Sequence, residues 1–160
     1  MTVIMENKRK IIFVCHGNIC RSPMAEYVMK HLVKEKGLEN EYHITSGAVS
    51  SEEIGNDIYP PAKRKLSEKG IEFSRHKAHK ITPQEFSSNN IVILMDQSNL
   101  RLLGRIVSDF EDKVHLMMEF AEGTRQARDV ADPWYTGDFE QTYQDVYAGC
   151  TGLIKMLSGR

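Results

Sequence analysis

Cys15 and Arg21 are separated by five residues in Val14-Cys15-His16-Gly17-Asn18-Ile19-Cys20-Arg21-Ser22-Pro23, directly after the apolar run Ile11-Ile12-Phe13-Val14. A strand that ends in Cys-x5-Arg and opens a helix at Ser-Pro places a nucleophile inside a ring of backbone N–H groups. Those donors and the positive helix end attract a dianionic phosphate and favour thiolate over thiol. Arg21 closes the ring as a planar, bidentate clamp on two phosphate oxygens. The local chemistry is phosphate bound over a sulfur nucleophile. A lone cysteine at a strand end is more often a buried structural residue. That reading leaves Gly17, Asn18, Arg21 and Ser22-Pro23 in one tight loop without an explanation.

These residues need a scaffold, and the chain alternates strand and helix patterns. Lys10 to Val14 reads as a buried strand. A helix follows from Pro23 to about Lys36, with Ser22 as N-cap, Pro23 in the first helical position and Gly37 as the stop. Ala25, Val28, Met29, Leu32 and Val33 give it a core face. Tyr42 to Ser46 is a second strand, and a helix runs from Pro60-Pro61 to Gly70 with Ala62 and Leu66 inward. Ile91 to Met95 is a continuous apolar run suited to a parallel sheet covered on both faces. Ser98 to Ile106 reads as helix, Val114 to Met117 as a fourth strand, and Asp138 to Leu157 as the last helix. That helix carries Cys150 beside Leu153 and Ile154, a core position, and Tyr143 and Tyr147 as packing or surface residues. The pattern predicts a three-layer α/β fold, a central four-stranded parallel sheet flanked by helices with right-handed crossovers. Ligands in such folds sit at the carboxyl ends of strands, where Cys15, Ser46 and Asp96 fall.

Composition narrows the function classes. A chain of 160 residues, 41% apolar and 27% charged, is expected to form one domain, with residues 1–9 as a short flexible extension. A formal charge of -1 gives no support for nucleic-acid or membrane binding. The basic runs Lys8-Arg9-Lys10 and Lys63-Arg64-Lys65 read as solvated faces. No segment has the length of a membrane span and the start lacks a signal-peptide core, so a cytoplasmic location is expected. Three cysteines argue against a disulfide framework, and Cys15 and Cys20 lack a second ligand pair for zinc. No metal and no cofactor is expected.

The chain resembles the low-molecular-weight protein tyrosine phosphatases. Their loop Cys-x-Gly-Asn-x-Cys-Arg-Ser-Pro is matched from Cys15 to Pro23. The similarity continues in family order through Thr45-Ser46-Gly47, Glu53-Ile54-Gly55-Asn56, Met95-Asp96-Gln97-Ser98-Asn99-Leu100 and Asp132-Pro133-Trp134-Tyr135. It implies hydrolysis of phosphotyrosine proteins or peptides and small aryl phosphates, with inorganic phosphate and other oxyanions as site ligands. It also implies a phosphocysteine on Cys15, Arg21 on the equatorial oxygens, and Asp132 as general acid and then base. Taken alone, Asp-Pro marks a turn, and one of 22 acidic residues would not stand out. Loop residues His16, Gly17, Asn18, Ile19, Cys20 and Ser22 would line the phosphate site, and Trp134 and Tyr135 would wall the pocket. Asn18 matches the family residue that holds the loop through a Ser and a His, here Ser46 and His76. Each of those two is as readily an ordinary polar group. Ser22 would donate its hydroxyl to Cys15. Asp96 would orient Arg21 or serve as a helix N-cap. Cys20 would trap oxidised Cys15 as a reversible disulfide.

The chain departs from the family pattern before Glu53-Ile54-Gly55-Asn56, where an aromatic is common and this chain has Glu52. An acidic rim there favours neutral or basic phosphopeptides, and His16 occupies a variable position that could touch substrate. Protein arginine phosphatases share the scaffold but carry Thr where this chain has Ile19; Ile crowds the pocket and favours a slim aromatic stem. Arsenate reductases need further cysteines in the middle of the chain, and none occurs between Cys20 and Cys150. A non-catalytic phosphate-binding module would need neither nucleophile nor acid.

Overall fold

The computed structural model describes residues 8–159. Strand β1, Arg9–Cys15, takes the centre of the sheet because every residue from Ile11 to Val14 is fully buried. Its side chains alternate between two cores. Ile11 and Phe13 pack on one face with Met24, Val28 and Met29, and Ile12 and Val14 on the other with Phe86, Leu94 and Leu103. A strand apolar on both faces is what a helix-covered parallel sheet requires. β2 (Tyr42–Ala48), β3 (Ile91–Leu94) and β4 (Val114–Leu116) complete a four-stranded sheet in the order β2-β1-β3-β4, all neighbours parallel. The expected three-layer α/β architecture is observed.

Among the described residues the helices are α1 (Arg21–Glu35), α2 (Pro60–Glu68), α3 (Pro83–Ser88), α4 (Gln97–Leu103), α5 (Met117–Glu122), α6 (Pro133–Thr136) and α7 (Phe139–Ser158). None is long and apolar enough to cross a membrane. α1 and α7 cover the first core, and Cys150 lies fully buried within it. α5 sits so close to α7 that glycine is required there: a Cβ at Gly152 would lie 2.1 Å from the Phe120 carbonyl oxygen.

Several boundaries differ from the sequence reading. α1 begins at Arg21, not Pro23, and Ser22 is not its cap; Cys20 holds that position without a side-chain cap bond. Pro23 is accommodated because first-turn N–H groups have no helical acceptor. The flanking strand residues Met95 and Met117 lie outside β3 and β4, Met117 opening α5. The α4 helix ends at Leu103 instead of Ile106. Helices α3, α5 and α6 span at most six residues, too few for a periodic pattern to register. Each has a local start signal instead: Thr82 Oγ1 accepts from Glu85 N at 3.1 Å, the Glu119 carboxylate accepts from Leu116 N at 2.6 Å, and Asp132 caps α6. The expected extension 1–9 is shortened at its end, since Arg9 pairs with Tyr42 in the sheet; residues 1–7 lie outside the described part.

Candidate active site

Cys15 is the last residue of β1 and is 3% exposed. The chain turns back at once, and Asn18 adopts the left-handed conformation (φ 63°), which Asn tolerates better than most residues. That turn aims main-chain donors at the sulfur: Asn18 N lies 3.3 Å and Ser22 N 3.4 Å from Cys15 Sγ. The Cys15 Sγ and Ser22 Oγ are 3.1 Å apart, and the Ser22 hydroxyl donates to Gly47 O at 3.2 Å. The Ser22 hydroxyl, expected to donate to Cys15, instead gives its proton to Gly47 O and accepts from Asn18 Nδ2.

The buried Asn18 side chain holds the turn from inside. Its Nδ2 donates to Ser22 Oγ at 2.8 Å and to Ser46 Oγ at 3.0 Å, and its Oδ1 accepts from His79 N at 3.2 Å. His76 Nε2 lies 2.7 Å from the Asn18 carbonyl oxygen. The chain of bonds runs on from Ser46, whose hydroxyl donates to Glu26 Oε1 at 2.6 Å, while Lys30 Nζ holds Glu26 Oε2 at 2.5 Å. Sequence reasoning missed both Glu26 and His79. Glu26 carried a signal, being a carboxylate on a helix face otherwise made of Met24, Ala25, Val28 and Met29.

Arg21 is the largest of the fully buried side chains, at 2% exposed. Its Nη1 donates to Asp96 Oδ2 at 2.6 Å and to Val130 O at 2.9 Å, and its Nη2 to Asp132 Oδ2 at 3.3 Å. Burial opposes the guanidinium charge, but the negative Cys15, Asp132 and Asp96 outweigh it and hold the pKa above the ordinary arginine value. Asp96 does two things at once, since its other oxygen accepts from Asn99 N at 2.8 Å and starts α4. Asp132 likewise accepts from Trp134 N at 3.0 Å through Oδ1 while Oδ2 faces Arg21.

The floor and walls enclose a cavity of about 140 Å³. Cys15, Gly17, Ile19, Cys20 and Arg21 of the loop line it, together with Asp132, Trp134 and Tyr135. Trp134 stacks on Tyr59 with ring centroids 4.9 Å apart, and Tyr135 is 85% exposed at the mouth. His16, Glu52 and Glu53 also line the cavity, and His16 contacts the Glu52 carboxylate. The Glu53 side chain lies close to Gly17, where a Cβ would be 3.1 Å from Glu53 Cγ. The Cys20 thiol is pushed well above its ordinary pKa, first by burial and then by the negative Cys15 and Asp132. It is a thiol at neutral pH. Ser46, His76 and Asp96 do not line this cavity: Ser46 and His76 bond to Asn18, and Asp96 to Arg21. Asn18 and Ser22, expected to line it, are instead wholly buried.

Comparison with known proteins agrees with this geometry. The profile of the family described as low molecular weight phosphotyrosine protein phosphatase matches residues 10–160. The low molecular weight protein-tyrosine-phosphatase YfkJ of Bacillus subtilis is 35% identical over 149 residues, covering 92% of this chain and 94% of its own. Its crystal structure superposes with a TM-score of 0.88 over 95% of this chain and 96% of that one, at 32% identity. The low molecular weight phosphotyrosine protein phosphatase of Sus scrofa is 34% identical over 154 residues, covering 93% of this chain and 96% of its own. A structure of the YwlE arginine phosphatase, a cysteine-to-serine mutant with a phosphorylated active site serine, superposes with a TM-score of 0.83 at 28% identity, covering 93% of this chain and 95% of that one. With a family profile spanning the chain from β1 onward and relatives matched nearly end to end, this chain belongs to the low molecular weight phosphotyrosine protein phosphatase family.

Proposed function

We propose that the enzyme hydrolyses phosphotyrosine in proteins or peptides, and small aryl phosphates, through a phosphocysteine on Cys15. The observation that carries this reading is that the Cys15 sulfur, the Arg21 guanidinium and the Asp132 carboxylate line one cavity. In the first step the Cys15 thiolate attacks phosphorus in line. The P–O bond to the aryl group breaks, its electron pair goes to the phenolic oxygen, and protonated Asp132 supplies that oxygen with a proton. Arg21 and the loop N–H groups hold the equatorial oxygens as charge redistributes. In the second step the Asp132 carboxylate takes a proton from water as its oxygen attacks phosphorus. The P–S bond breaks, and thiolate and inorganic phosphate are released.

Asn18, Ser22, Ser46 and His76 keep the loop in its donor-inward shape, and Asp96 keeps Arg21 flat beneath the phosphate. Trp134 and Tyr135 offer an aromatic wall to the substrate ring, and Ile19 narrows the base to an aryl stem. Cys20, a thiol beside the same cavity, is the partner for oxidised Cys15; in Cys20→Ala, activity lost to peroxide should no longer return on adding thiol.

A phosphoarginine substrate is the second reading, because the Glu52 and Glu53 carboxylates at the cavity suit a cationic guanidinium and a structural neighbour is an arginine phosphatase. The test is turnover of matched phosphotyrosine and phosphoarginine peptides with Cys15→Ser as the blank. Preference for phosphotyrosine supports the aromatic wall and Ile19 as selectors. Preference for phosphoarginine keeps the mechanism and overturns the substrate. Turnover of neither would refute the protein substrate in both forms.

A further inference from the structure

Asp132 is delivered to the cavity by the segment 123–132, which has no helix or strand of its own. Its fastening is concentrated in three consecutive residues. Arg128 makes a two-pronged bond to Asp145 of α7, Nη1 to Oδ2 at 2.9 Å and Nη2 to Oδ1 at 2.7 Å. Asp129 Oδ1 accepts from Gln97 N at 3.1 Å at the start of α4. Val130 N donates to Met95 O at 2.9 Å, and Val130 O accepts from Arg21. Asp132 follows two residues later.

The Arg128–Asp145 pair is the contact that the packing does not require. Asp145 is 3% exposed and sits on α7 next to the core residue Val146. An ionised carboxylate buried there loses hydration that a hydrophobic residue of the same size would not, so a paired aspartate is poor evidence of added stability. What a planar two-pronged bond supplies is register, since it fixes both distance and orientation. Asp145 is itself oriented, accepting from Gln141 Nε2 at 2.8 Å, and Arg128 is braced from the other side by Glu122 of α5, 3.3 Å from its Nε. The helices that approach each other through Gly152 thus hold the guanidinium between them.

We propose that Arg128, through Asp145, is a positioning residue for the general acid: the pair sets where the Asp132 carboxylate stands over the cavity. It acts on proton transfer to the leaving group and leaves phosphate binding alone. This inference rests on the proposed role of Asp132 as acid. The Asp129 and Val130 bonds are independent of Arg128, so its loss shifts Asp132 without detaching the segment. Misplacement of a reacting group by about 1 Å costs up to roughly a hundredfold in rate.

The experiment compares kcat, KM and inhibition by inorganic phosphate for p-nitrophenyl phosphate, a good leaving group, and phenyl phosphate, a poor one. The proteins are the parent, Arg128→Lys, Asp145→Asn and Asp132→Ala. Lys keeps the charge without the fork, and Asn keeps the shape and the Gln141 bond without the charge, so both variants spare the core. Expected for Arg128→Lys is a fall of about tenfold or more in kcat/KM on phenyl phosphate, with less than about threefold on p-nitrophenyl phosphate, because kcat/KM reports leaving-group departure and not the shared hydrolysis of phosphocysteine. Phosphate inhibition stays within about twofold, and Asp145→Asn moves the same way. If Asp132→Ala lowers kcat/KM equally on both substrates, the acid assignment itself fails. If Asp132→Ala separates the substrates while folded Arg128→Lys and Asp145→Asn do not, the positioning role is overturned. Equal losses on both substrates with weakened phosphate inhibition would also overturn it, marking the pair as general support of the site.

Discussion

Replacing Asn18 by Ala and by Gly separates two contributions that the loop geometry combines. The residue is wholly buried and its side chain makes three hydrogen bonds, to Ser22 Oγ, Ser46 Oγ and His79 N. Both substitutions remove all three. Ser22 keeps its bond to Gly47 O and Ser46 its bond to Glu26, while the His79 N–H loses its side-chain acceptor. At about 1 kcal/mol net for each bond, the common loss is about 3 kcal/mol. The backbone contribution then distinguishes the variants. At φ 63° an alanine Cβ is strained by about 1–2 kcal/mol, whereas glycine is not strained but gives up about 0.5–1 kcal/mol more chain entropy on folding. Asn18→Ala should therefore lose about 4–5 kcal/mol and Asn18→Gly about 3.5–4, with glycine the more stable of the two. The assay is urea unfolding with the m-value checked for constancy, alongside inhibition by inorganic phosphate to report on the loop donors. A loss below about 1 kcal/mol in Asn18→Ala would show that the bonds do not hold the loop. Alanine matching or exceeding glycine would remove the strain argument even if the bonds matter.

Gly152→Ala should destabilise the fold despite alanine's higher helix propensity, because the new Cβ would meet backbone atoms of Phe120 that have no rotamer to yield. The net loss should be about 1–3 kcal/mol, lowering Tm by several degrees in thermal unfolding, and an unchanged or raised Tm would contradict the close helix contact. His79, whose main-chain N–H supports Asn18, has its pKa raised above the ordinary 6.5 by the hydrogen bond its ring donates to Glu85, with burial opposing and the charge of Glu85 adding. A raised histidine pKa contributes stability that is complete below about 6.5 and is lost as pH rises through the folded-state value. The unfolding midpoints of parent and Glu85→Gln should therefore differ most near pH 6 and converge on the alkaline side. A gap that widens with rising pH would reverse the assignment.

Much of the site was legible because its signals are local. The turn after β1 needs Gly17 and Asn18 within a few residues of Cys15, so the phosphate loop can be read from one decapeptide. Asp132 was legible only through the resemblance, since an Asp-Pro pair carries no chemistry of its own. The Arg128–Asp145 pair was not legible, because a charged side chain looks solvated until its surroundings are known; Glu26 had a signal in its apolar helix face that was missed. Asp96 was left between orienting Arg21 and capping a helix, and each of its oxygens does one of these. The sequence gives Ser22 two roles, helix cap and donor to Cys15; α1 starts two residues before Pro23, at Arg21, and the hydroxyl donates to Gly47 O instead.

By itself the sequence determined the two-faced apolar strand, the alternation that builds the parallel sheet, and the nucleophile and arginine spaced to share one phosphate. Those follow from steric and periodic rules acting within a few residues. Only the tertiary structure decided that Asp132, 111 residues from Arg21 along the chain, lies 3.3 Å from it, that Glu26 closes the bond network behind Asn18, and that Arg128 finds a buried partner on α7. Such contacts depend on how helices from distant parts of the chain dock across the sheet. Their energies come from burial and full hydrogen bonding, which exist only once the core has formed.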